Sequence, residues 1–129
     1  MENELSTEFC SYEQALALKE LGYGDHYGDD YFAWYSSNKD FHYRNMNSPV
    51  YPNNQSFIAP LKQQVFRWFR EKYNIHGFII HYSRVMFRWC IDSGDDFEES
   101  IKLDTYEEAE NACIDKLIEI VKQQDNGHN

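Results

Sequence analysis

Apolar residues recur along this chain at two spacings, and the spacing changes several times. Around residues 61–73 the interval is helical. Leu61, Val65, Phe66, Trp68, Phe69 and Tyr73 fall within an arc of roughly 160°, with Arg67 and Arg70 on the other side. Pro60 suits a first turn, so a helix is predicted over 59–74. Ser11-Tyr12-Glu13-Gln14 has the order of a capping box: the Ser hydroxyl accepts from a backbone N–H one turn on, and the Gln side chain reaches back. Ala15, Leu16, Ala17, Leu18 and Leu21 follow before Gly22 and Gly24, which predicts a helix over 11–21. Thr105-Tyr106-Glu107-Glu108 is a second such box. Its helix carries Ala109, Cys113, Ile114, Leu117, Ile120 and Val121 on one face and ends near Lys122. Lys116 and Lys122 favour its negative C-terminal end.

Elsewhere the spacing is that of strands. Residues 31–35 are rich in strand formers, Ser37-Asn38-Lys39 suits a hairpin turn, and Phe41 and Tyr43 alternate with His42 on the return. Residues 77–82 are apolar and β-rich. Val85, Phe87, Trp89 and Ile91 alternate with Met86, Arg88 and Cys90, the period of a half-buried strand. Ser93-Gly94-Asp95-Asp96 is a turn, and a short strand over 97–102 completes a three-stranded meander. Residues 22–30 and 45–57 read as loops, and the polar ends, 1–10 and 124–129, as flexible. The whole predicts one α+β domain over 1–129, in the order helix, hairpin, helix, three-stranded meander, helix. Its sheet is antiparallel, with the helices packed on one face.

Composition supports a folded chain. Among 129 residues there are 10 Tyr, 9 Phe and 3 Trp, enough to supply a core despite a net charge of −10. High charge with few aromatics would instead suggest disorder. The charge is uneven: residues 1–44 hold three basic and nine acidic groups, 45–91 six and one, 92–129 three and twelve. The acidic excess disfavours nucleic-acid binding through counterion release for the chain as a whole. No stretch approaches the roughly 20 apolar residues of a membrane span. Met1-Glu2-Asn3-Glu4 lacks the basic and apolar regions of a secretory signal. Cys10, Cys90 and Cys113 form no CxxC pair and fit a reducing cytoplasm.

Motifs for catalysis are lacking: there is no Gly-x-Ser-x-Gly elbow, no phosphate loop, no Gly-x-Gly-x-x-Gly and no HExxH. No catalytic residue, metal or cofactor is therefore predicted, although dispersed carboxylates and histidines leave a small hydrolase as one reading. Two constellations remain. Arg67 and Arg70 share a helical face and Arg88 stands opposite Trp89 on its strand; planar guanidinium forks suit a small anionic, nucleotide-like ligand. The competing reading pairs these arginines with the acidic flanks. The second constellation is the aromatic excess between residues 23 and 51. Tyr31, Trp34, Tyr35 and Tyr43 are the candidate protein-binding residues, because Tyr and Trp offer apolar area with a polar tip. Such a patch also suits a homodimer.

Residues 11–22 (SYEQALALKELG), 59–73 (APLKQQVFRWFREKY) and 105–122 (TYEEAENACIDKLIEIVK) resemble a family of small uncharacterised proteins of gut Bacteroidota, their bacteriophages and mobile elements. The resemblance implies an accessory protein of phage or mobile-element origin acting inside a bacterial cell. It implies no activity and no site residues. The leading expectation is a non-catalytic cytoplasmic domain that binds a host or phage protein through an aromatic surface.

Overall fold

The computed structural model describes residues 7–24, 32–44 and 55–126. These hold α1 (Tyr12–Glu20), β1 (Ala33–Tyr35), β2 (Phe41–Tyr43), β3 (Phe57–Ile58), α2 (Lys62–Tyr73), β4 (His76–Ser83), β5 (Met86–Asp92), β6 (Phe97–Glu99) and α3 (Tyr106–Asn126). The fold is α+β, with two three-stranded antiparallel sheets, β2-β1-β3 and β4-β5-β6, where a single sheet was expected. The chain divides into two compact units, Met1–Leu61 and Lys62–Asn129.

In the first unit α1 begins as its sequence dictates. Ser11 Oγ accepts from the Gln14 N–H at 3.2 Å, and Gln14 Oε1 accepts from the Ser11 N–H at 3.0 Å. It ends at Gly22, whose φ of 99° lets Tyr23 and Gly22 donate back to the carbonyls of Leu18 and Lys19. The hairpin turn at Ser37-Asn38-Lys39 sets Ala33 opposite Tyr43 and Tyr35 opposite Phe41. Strand β3, read from sequence as the end of a loop, pairs with the other edge of β1. The extended chain continues past it. Ala59 N–H donates to Ala33 at 2.9 Å, Cys10 N–H donates to Pro60 at 2.8 Å, and Phe9 bridges Leu61. Pro60 therefore precedes α2 instead of opening it, and the helix starts at Lys62 rather than 59. These contacts also bury Phe9 and Cys10, which the sequence placed in a flexible end.

Directly opposed residues of an antiparallel pair share a face. Ala33, Tyr35, Phe41, Tyr43 and Phe57 therefore stand together, and with Phe9, Ala15 and Ala59 they build the core of this unit. Trp34 and His42 stand on the opposite face, their rings stacked at 5.8 Å.

In the second unit α2 buries Val65, Phe66 and Phe69, and α3 buries Cys113, Ile114, Leu117 and Val121. Both pack on one face of the β4-β5-β6 sheet, and Gly77 lets them approach it. A Cβ there would stand 2.9 Å from Leu117 Cδ1, 3.0 Å from Cys113 Sγ and 3.2 Å from Phe66 Cδ1. Helix α3 runs past Lys122 into the segment read as a flexible tail. Gln123 is a good helix former and donates to Glu119 one turn back at 3.3 Å. The two helices are also joined by a buried pair, Lys62 Nζ to Glu110 Oε1 at 4.0 Å. Gln63 donates to the other oxygen of Glu110 at 2.7 Å.

Candidate functional site

Gly77 and its cross-strand neighbour Ile91 define the helix-covered side of the second sheet. The alternate residues form the other side: Phe78 and Ile80 on β4, Arg88 and Cys90 on β5, Phe97 and Glu99 on β6. Tyr82 joins them through its contacts. Its hydroxyl donates to Glu99 Oε1 at 2.8 Å, and the Arg88 guanidinium carbon stands 5.3 Å from its ring centre. Arg88 Nη1 donates to the same Glu99 oxygen at 3.0 Å. This side exposes large rings: Phe78 is 42%, Tyr82 52% and Phe97 59% accessible.

At the polar centre of this face Arg88 Nη1 and the Tyr82 hydroxyl share Glu99 Oε1, while the buried Arg88 Nε has no hydrogen-bond partner. Hydrogen bonds from Tyr82 and Arg88 hold the Glu99 carboxyl below its ordinary pKa. The same bond to Glu99 pushes the Tyr82 phenol up. Between them Cys90 is buried, and burial raises its thiol pKa.

The residues singled out by sequence are distributed otherwise. Trp34 and Tyr35 are core residues, 1% and 7% accessible, and the Tyr35 hydroxyl is bonded to the Cys10 carbonyl. Tyr43 is half-buried and stacks at 6.1 Å on Phe32, which is exposed. Tyr31 lies outside the described residues. In the first unit the exposed ring among the described residues is thus Phe32, with half-buried Tyr43 stacked on it.

Phe78, Tyr82 and Phe97 were missed. Residues 78–80 form a continuous apolar run, the pattern of a strand buried on both faces, and nothing local tells which face stays uncovered.

The three arginines do not converge. Arg67 lies exposed on α2, its Nε 2.8 Å from Glu71 Oε1, and Arg70 is exposed on the same helix. Helix α2 packs on the Gly77 side, whereas Arg88 stands on the other side of the sheet against Glu99. The anion pocket expected from sequence is therefore replaced by two separate Arg–Glu pairs. A 310 Å³ cleft lined by Ile91, Ile120 and Gln123 presents Asp96 and Glu98 and no arginine.

Other chemistry is sparse among the described residues. His42 stacks on Trp34, and His81 stacks on Phe87 at 4.5 Å. Among the described residues no group of three or more His, Cys, Asp or Glu is placed to hold a metal ion, and none of their helices is long and apolar enough to cross a membrane. Comparison of the chain with protein-family models, curated proteins and solved structures returns no match.

Proposed function

We propose that this protein is a non-catalytic interaction domain, an accessory protein of phage or mobile-element type acting inside a bacterial cell. It binds a protein partner on the open face of the β4-β5-β6 sheet. One observation carries the reading: Phe78, Tyr82 and Phe97 are exposed on the side of that sheet away from the helices. Exposed rings on one face are costly to leave in water and are the side chains that dominate interfaces. The Arg88–Glu99 pair at its centre allows that face to be covered without leaving either charge unpaired.

The test is affinity capture from a bacterial host extract with three baits: the wild type, Phe78→Ser/Phe97→Ser, and a control substituted at exposed Lys122. A protein held by the wild type and the control and lost by the double variant supports the reading. Identical retention by all three overturns it, provided the variants keep the wild-type circular dichroism.

A further inference from the structure

We infer that β4 pairs edge to edge with β4 of a second copy of this chain, joining two three-stranded sheets into one of six strands. The backbone directions carry the argument. On β5, Trp89 accepts from the Ser100 N–H at 3.0 Å, and Phe87 exchanges bonds of 2.9 and 2.8 Å with Leu103. The odd-numbered residues of β5 therefore address the β6 side. Its even-numbered ones bond to their partners on β4, Arg88 to Ile80 and Cys90 to Phe78. The N–H and C=O groups of Ile79 and His81 consequently point away from β5. Among the described residues neither makes a hydrogen bond there.

An open strand edge is a template for another strand, and proteins usually blunt such edges with charge, proline or brevity. The opposite edge of this sheet follows that rule: β6 is three residues long and two of them are Glu98 and Glu99. Strand β4 does not. It is eight residues, HGFIIHYS, with no Asp, Glu, Lys, Arg or Pro.

This selects the occupant. The chain carries a net charge of −10 and repels its own copy over much of its surface. Along β4 two copies meet with no like charges opposed. A two-fold axis at Ile80 makes the edge self-complementary. Ile79 of each copy then faces His81 of the other and exchanges both backbone bonds with it, while Ile80 meets its own counterpart. Phe78 comes opposite Tyr82 on the open face, an aromatic pair across the join. The bulge between His81 and Ser83 ends the ladder. Pairing here sets Phe78 and Tyr82 side by side across the join and leaves Phe97 and the β6 side of the face free.

Sedimentation equilibrium of the full chain across about 5–200 µM, the affinity range of weak self-association, tests this. The expected mass rises to twice 15.5 kDa. Ile80→Lys and Ile80→Glu each weaken the dimer at least tenfold, and an equimolar mixture of the two recovers it. A monomer throughout, or a dimer unaffected by Ile80→Lys, overturns the inference. Hydrogen exchange of the wild type supplies a readout that needs no variant: the Ile79 and His81 amides slow at high concentration. Rates independent of concentration overturn it, as does a monomer protected at these amides only by an added extended peptide of another protein.

Discussion

The Tyr35 hydroxyl donates a 2.6 Å hydrogen bond to the backbone carbonyl of Cys10, 25 residues earlier in the chain. The bond fastens the stretch before α1 to strand β1, and both residues are buried. Burial, the main cause, pushes the phenol up to about 12.

Replacing Tyr35 by Phe removes this hydrogen bond, so about 0.5–1.5 kcal/mol of stability is lost in urea denaturation at pH 7. The pH dependence follows from the raised pKa. An unfolded tyrosine ionises near 10, so the folded chain holds this proton more tightly. The contribution is complete below pH 10 and is lost as the pH rises through 12. Wild-type stability therefore falls between pH 10 and 12, and falls less steeply in Tyr35→Phe. Cys113, its thiol also pushed to about 12 chiefly by burial, contributes the residual slope from pH 9 upward.

Gly77→Ala introduces a Cβ that Leu117, Cys113 and Phe66 leave no room for. The two helices must shift off the sheet or their side chains leave preferred rotamers. The expected cost is about 1–3 kcal/mol, read as a lower urea midpoint with an unchanged slope.

Trp34→Ala empties a buried site and costs about 3–5 kcal/mol, with a large fall in melting temperature. Phe97→Ser removes an exposed ring from an edge strand and costs about 1 kcal/mol or less. Calorimetry of the two variants separates core from surface: equal losses would contradict this assignment.

Glu99→Gln removes the negative acceptor that raises the Tyr82 phenol. Tyr82 then ionises at lower pH than in the wild type, as followed by the NMR shifts of its ring. Since Tyr82 and Arg88 hold the Glu99 carboxyl below its ordinary range, the wild-type contacts persist above the usual carboxylate pKa. They loosen only as the pH falls through the depressed value.

Both ends of α1, the start of α3 and the turns were legible in the residues themselves. Ser11 with Gln14, Gly22, Ser37-Asn38-Lys39 and the turn at Gly94 act across four residues or fewer, so their chemistry is complete in a short stretch of chain. The 3.6-residue period likewise marked the buried side of α2, and α3 was placed by its apolar face. Strand β3 was not legible: two residues ahead of an extended Ala59-Pro60 carry no period, and only pairing with β1 makes them a strand.

The sequence by itself determined every element but β3, their order along the chain and the α+β class. Tertiary structure decided that the strands form two sheets and that Trp34 and Tyr35 are core while Phe78 and Phe97 are surface. It also separated Arg88 from Arg67 by the thickness of a sheet. The reason is physical. A cap or a turn is satisfied by its neighbours in sequence, whereas the exposure of a ring depends on which distant elements pack over it. Phe78 and Trp34 both carry large aromatic side chains, and only the packing around each makes one a surface and the other a core.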